Sequence, residues 1–257
     1  MISMEHISLR RGEDLILDDV SLKVNKGEHW AILGRNGSGK TTLLEMMNGY
    51  LFPTSGRIEV LGHIYGQSDV REVRKEIGYI SQTLLEKLAL KDPVWEVVAT
   101  GAYAYLRFYQ AIPEEVKGQA VALLEEMNLG HRKNNPLGTL SQGERKKVML
   151  ARSLMAKPKL LIMDEPCAGL DLFEREKMLV EIDRLRKRDV SVVYVTHHVE
   201  EIVPLFTHVG LIREGKVAAA GPKHEVLTKE TIMRTYDIQV ELQWDADRPW
   251  IQVRNGG

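Results

Sequence analysis

The chain has 257 residues, 44% hydrophobic and 28% charged, with 35 Lys and Arg against 36 Asp and Glu and a single cysteine. This composition excludes disordered, collagenous and disulfide-stapled classes, and a formal net charge of −1 gives no general pull towards nucleic acid or anionic lipid. The longest uncharged, mostly apolar stretch, Val97 to Leu106, is about half of the ~20 residues that a membrane-spanning helix needs. Cys167 has no partner for an internal disulfide, and the start, MISMEHISLRRGEDL, lacks the apolar run of a secretion signal. A reducing, cytoplasmic setting is therefore expected.

Up to about Ala31, apolar residues alternate at Ile7 and Leu9 and again at Val20, Leu22 and Val24, with turns at Arg11-Gly12 and Asn25-Lys26-Gly27. An antiparallel flank of short strands is predicted. Trp30-Ala31-Ile32-Leu33 is an apolar run ending in a glycine-rich turn, after which Leu43, Leu44 and Met47 share one helical face up to Asn48-Gly49. Pro113 opens a helix whose apolar residues run from Val116 to Met127 and which Gly130 is expected to close, and a second helix is expected from Gln142 to Ala156. Leu160–Met163 and Val190–Val195 read as buried parallel strands, separated by a helix capped by Asp171. The alternation implies an α/β core with a largely parallel sheet, interrupted by a mainly helical insertion at about 83–156. Hairpins are expected around Glu214-Gly215 and around Asp245–Pro249.

Gly34-Arg35-Asn36-Gly37-Ser38-Gly39-Lys40-Thr41 fits G-x-x-x-x-G-K-[ST] and lies between an apolar strand and a helix, with Thr42 next in line. Glycines let the backbone curve so that its N–H groups face phosphate oxygens, and the helix N-terminus behind adds positive potential. Lys40 is expected to neutralise the β- and γ-phosphates and Thr41 to place its hydroxyl on Mg²⁺. Asp164 ends an apolar strand, where a carboxylate is costly without a task; it can hold Mg²⁺, while Glu165 can polarise an attacking water. Leu140-Ser141-Gln142-Gly143-Glu144 opens a helix with Ser141 as N-cap and Glu144 three residues on. That is a capping box, but its hydroxyl, free N–H groups and helix dipole also make an anion site, most naturally for the nucleotide of another subunit.

Leu140–Glu144 resembles the LSGGQ signature of ATP-binding cassette (ABC) ATPases, and the other motifs of that family follow in order. Gly34–Thr41 match Walker A, Gln82 in Tyr79-Ile80-Ser81-Gln82 the Q-loop, and Leu160–Glu165 Walker B. Ala168-Gly169-Leu170-Asp171 resemble the D-loop, and His197 in Val195-Thr196-His197-His198 the switch histidine. The resemblance implies a P-loop NTPase (RecA-like) core with an antiparallel β flank and an inserted helical subdomain. It spans about residues 2–225, so the expected layout is an ATPase domain over 1–225 and a C-terminal tail, 226–257, forming a hairpin.

The resemblance further implies a head-to-tail homodimer with each ATP between the Walker A of one subunit and the signature of the other. Ser141, Gln142 and Gly143 then bind the partner's nucleotide and Asp171 joins the seam. Glu165 orients and deprotonates water, His197 contacts the γ-phosphate, and Gln82, with Thr41 and Asp164, contacts Mg²⁺. Gln142 and Glu144 depart from the family pattern but leave Ser141 and the Gly143 N–H in place, so activity is expected to survive. No aromatic stands near the first strand to stack on adenine; Arg11 offers a planar guanidinium instead, and Trp30 reads as core rather than as a substitute. Cys167 reads as a small packed side chain. Arg145, Lys146 and Lys147 read as a solvated helix face, with nucleic-acid binding the minor reading.

Val94–Tyr103 partly resembles the region after the Q-loop in importer ATPases for metal chelates, and Tyr103, Tyr105, Phe108 and Tyr109 offer either a contact surface or internal packing. The leading expectation is an ATP-hydrolysing subunit, peripheral on the cytoplasmic face of the membrane, that drives a separate permease. The alternative is a soluble ABC ATPase acting in repair or translation. Against it, Walker A and Walker B are not separated by long coiled coils, and only one cassette is present.

Overall fold

The computed structural model describes residues 1–254; the last three residues of the 226–257 tail, Asn255 to Gly257, lie outside the described residues. Two compact units share the chain: Met1–Arg74 with the chain from Ser191 onward, and Lys75–Val190.

The first unit begins with β1 (Ile2–Arg11) and β2 (Asp14–Val24), an antiparallel pair in which Ile2 faces Val24 and Arg11 faces Asp14. Ile2, Met4, Ile7 and Leu9 are buried, and the spacing slips between Met4 and Ile7, where His6 takes a positive φ. This is a bulge, which explains why the alternation in the sequence is imperfect. β3 (Trp30–Leu33) is buried at all four positions, as a strand covered on both faces must be. α1 (Lys40–Met47) buries Leu43, Leu44, Met46 and Met47. β4 (Ser55–Val60) pairs with β1, and β5 (His63–Ile64) with β4. The short helix α2 (Val70–Lys75) follows.

The second unit contains β6 (Ile77–Ile80), α3 (Gln82–Glu86), α4 (Val94–Ala99), α5 (Glu114–Glu126), α6 (Gln142–Leu154), β7 (Leu160–Asp164) and α7 (Leu172–Asp183). β6 and β7 run parallel, Ile77 opposite Leu160 and Ile80 opposite Met163. α5 stops at Met127 and Asn128, which has φ 59°, rather than at Gly130. Asn, like Asp, enters the left-handed region more readily than most side chains, and the Leu129 N–H then bonds the Leu124 carbonyl at 2.8 Å. Gly130 serves a different purpose, since a Cβ there would collide with the Glu125 carboxyl.

On its return to the first unit the chain forms β8 (Ser191–Thr196), β9 (His208–Arg213), β10 (Lys216–Pro222), α8 (Lys223–Val226), α9 (Lys229–Tyr236), β11 (Val240–Asp245) and β12 (Arg248–Val253). Strand order here is β10-β9-β3-β8, with β3 parallel to both neighbours. The β9–β10 hairpin turns at Glu214-Gly215, both with positive φ, and β11–β12 turns at Ala246-Asp247 in the same way. Both are two-residue turns of the kind that follows strand twist. This is an α/β P-loop fold with parallel and antiparallel strands and added helices. Among the described residues no helix is long and apolar enough to cross a membrane.

Candidate active site

In the first unit, β3 delivers the chain to Gly34 and α1 receives it at Lys40. Gly37 (φ 79°) and Gly39 (φ 102°) supply the left-handed turns of the loop, and Gly39 as N-cap offers no side chain to the first helical amides. Those amides are thereby left facing the loop. Gly34 is required by close approach: a Cβ there would strike the Ile212 carbonyl and lie 2.7 Å from Ser38 Oγ. Lys40, only 5% exposed, donates its ammonium to the carbonyls of Gly34 (2.9 Å) and Arg35 (3.0 Å). Ser38 Oγ is buried with no hydrogen-bond partner among the described residues. Such an orphaned hydroxyl beside a cradled ammonium fits a loop shaped for an anion. Arg35, Asn36, Gly37 and Thr41 are exposed and Thr42 half-buried.

His197 follows β8 and is half-buried, its ring 4.0 Å from that of His198. Its segment is fixed from within, because buried Glu201 accepts hydrogen bonds from Tyr194 Oη and Thr196 Oγ1, each at 2.6 Å. Arg11 lies exposed at the end of β1, and Trp30 is 4% exposed, stacked on His208 at 5.0 Å with its Nε1 donating to Glu28. Trp30 is therefore core.

In the second unit, Asp164 closes β7 and Glu165 takes φ 45°, a conformation that costs a non-glycine residue energy and recurs where chemistry dictates position. The turn is fixed by the Ala168 N–H on the Glu165 carbonyl at 3.0 Å, and Cys167 is buried within it. Ser141 caps α6: its Oγ accepts from the Glu144 N–H (3.2 Å) and the Glu144 carboxylate accepts from the Ser141 N–H (2.8 Å). Burial alone would raise the Glu144 pKa, but the Ser141 hydrogen bonds and the Arg132 charge together bring it below the ordinary value. Gly143 is buried where a Cβ would collide with the Glu174 carboxylate, and a Cβ at Gly169 would meet Gln142 Nε2 at 2.6 Å. Gln142 thus packs against the D-loop glycine. Asp171 accepts from the Glu174 N–H at 2.9 Å as the cap of α7.

The solvated face expected at Arg145–Lys147 is corrected at its centre. Lys146 is 2% exposed and donates to Gln82 Oε1 at 3.1 Å, while Gln82 Nε2 donates to Glu86 at 3.0 Å. Burial lowers the Lys146 pKa, with Cys167 and Glu165 nearby raising it. Helical spacing carried the signal: Gly143, Met149 and Leu150 lie three or four residues away and are all buried.

The fold and these motifs define an ATP-binding cassette. The family described as ABC transporter matches residues 17–168. An uncharacterized ABC transporter ATP-binding protein, YlmA of Bacillus subtilis, is 39% identical over 254 residues, covering 98% of this chain and 96% of its own. Among solved structures, CbiO1 of Clostridium perfringens, part of the ABC transporter complex CbiONQ, superposes with a TM-score of 0.78 at 28% identity over 91% of this chain and 92% of that one. A dimeric ABC transporter cassette, MJ0796, gives 0.74 at 25% identity over 86% and 98%. The chain belongs to the ABC transporter family, as an ATP-binding, ATP-hydrolysing subunit. The soluble repair or translation reading is set aside, because these relatives serve transporters.

Proposed function

We propose that two copies of this chain close head to tail around ATP and that the closing and opening drive a separate permease from the cytoplasmic face of the membrane. The observation that supports this most is the phosphate loop, with Lys40 held on two loop carbonyls and Ser38 Oγ buried without a partner among the described residues. In this reading Gly34–Thr42 cradle the phosphates, and Ser141, Gln142 and the Gly143 N–H bind the partner's γ-phosphate. Asp171 lines the seam and Arg11 lies against the base. Glu165 takes the proton of the attacking water, and His197 hydrogen-bonds the γ-phosphate. Thr41, Gln82 and Asp164 offer the hard oxygen donors that Mg²⁺ takes; when bound, the ion neutralises phosphate charge.

A permease contact is supported on the second unit. Tyr103 and Tyr105 stack at 5.6 Å and both meet buried Phe108 edge-on, yet each keeps nearly half its surface exposed. Beside them an open cleft of about 650 Å³ is lined by Trp95, Phe108, Tyr109 and Ile112. Exposed aromatics rimmed by polar groups are the usual surface for a protein partner.

Gly34→Ala tests the loop directly. The added methyl displaces the backbone against Ile212, so ATP affinity should fall by roughly tenfold or more, since phosphate contacts depend on loop shape. Nucleotide binding measured by calorimetry checks this, and wild-type affinity would remove the loop from the site. Lys146→Met keeps the stem and removes the charge. The melting temperature should hold or rise, because a buried charge contributes little net stability. Turnover should nonetheless fall by about tenfold as Gln82 loses its anchor. Unchanged kcat would make Lys146 a packing residue only.

A further inference from the structure

The C-terminal segment has no part in the cycle as set out so far, yet it touches the backbone of the switch histidine and of the residues just after it. Tyr236, the last residue of α9, donates its hydroxyl to the His197 carbonyl at 3.3 Å. Burial raises the phenol's pKa, against a smaller lowering by the nearby Gly34 backbone, so Tyr236 stays a neutral donor. A single part-buried hydroxyl thus ties α9 to the residue after β8.

The helix that carries Tyr236 is firmly held. Thr228 caps α9 through a capping box with Thr231, Ile232 and Thr235 are buried, and Asp237 (φ 59°) ends it with its N–H on the Met233 carbonyl at 2.8 Å. Lys229 Nζ ties the helix to Glu241 of β11 at 2.8 Å. The hairpin beyond is pinned at its turn, where Asp247 accepts from buried Lys223 (2.6 Å) and pairs with His224 (2.6 Å). Arg248 Nε then donates to the Glu200 carbonyl at 2.6 Å. The tail therefore grips the switch segment at two carbonyls, those of residues 197 and 200.

We propose that the C-terminal segment braces the switch histidine, and that Tyr236 is a positioning residue for hydrolysis, fixing the His197 backbone on α9. The inference rests on the role proposed above for His197. A side chain that must meet a γ-phosphate depends on backbone placement to a fraction of an ångström, and a displacement of about 1 Å can cost ~10²-fold in rate. The tail thereby acts on catalysis through backbone atoms without touching nucleotide.

Steady-state ATPase kinetics on the purified full-length chain decide the matter, using Tyr236→Phe, Arg248→Ala, His197→Ala and the Tyr236/His197 double variant. Tyr236→Phe removes one oxygen. It should lower kcat roughly tenfold with the KM for ATP nearly unchanged, and it should add no further loss in the His197→Ala background, as expected of residues acting as one unit. Wild-type kcat in Tyr236→Phe, or an equal loss in both backgrounds, would overturn the brace. If His197→Ala itself turns over at the wild-type rate, the reading of the histidine fails and the brace falls with it, an outcome distinct from the first two. Should Tyr236→Phe not fold, Arg248→Ala carries the same expectation of reduced kcat at unchanged KM, and full activity there overturns the proposal.

Discussion

Glu165→Gln should bind ATP as tightly as the wild-type chain and hydrolyse it roughly 10²- to 10⁴-fold more slowly, the range that general-base assistance typically supplies. The substitution is nearly isosteric. It leaves the turn after β7, including the Ala168 N–H bond to the residue 165 carbonyl, to form as before. What it removes is the carboxylate that accepts the proton of water. Glu165 sits at φ 45°, a backbone state maintained against its own cost, and that placement is wasted on an amide. Because ATP then persists, the proposed dimer should accumulate, and sedimentation with and without ATP should separate a dimer from a monomer. Rapid hydrolysis by this variant would exclude Glu165 from the mechanism.

Ser141→Ala should lower ATPase turnover by at least about tenfold while leaving ATP binding to the monomer intact, since a hydroxyl that donates across the proposed interface acts only on closure. Some helix stability is also lost, because Ser141 Oγ caps the Glu144 N–H. That loss is about 0.5–2 kcal/mol. The other half of the capping box survives, as the residue 141 N–H still bonds the Glu144 carboxylate at 2.8 Å in the parent structure. Stability and catalysis can therefore be read separately, by melting temperature and by nucleotide-dependent dimerisation. Equal losses in monomer binding and in closure would argue that Ser141 acts within its own subunit.

The parts legible in the sequence were those written in short stretches of chain. A glycine loop between an apolar strand and a helix, an aspartate ending a buried strand, and a serine three residues before a glutamate each carry their own local physics. The same holds for β3, β7 and β8, whose unbroken apolar runs match strands buried on both faces. β4 was missed because half of it is exposed, leaving only Ile58 and Val60 as a pattern. Lys146 was misread because three consecutive cations suggest a wet surface, whereas the helix turns the middle one fully inward and leaves its two neighbours half-buried. The helix stop at Asn128 was displaced by the stronger attraction of Gly130 as a terminator. Tyr236 and His197 lie 39 residues apart, and no local periodicity encodes such a meeting.

Mixing Lys40→Ala chains with Ser141→Ala chains, each impaired alone, tests the head-to-tail arrangement most directly. In a mixed dimer one composite site inherits both defects and the other inherits neither, so random pairing should restore up to about a quarter of wild-type turnover. A mixture no more active than its two components would contradict a site completed by the partner's signature.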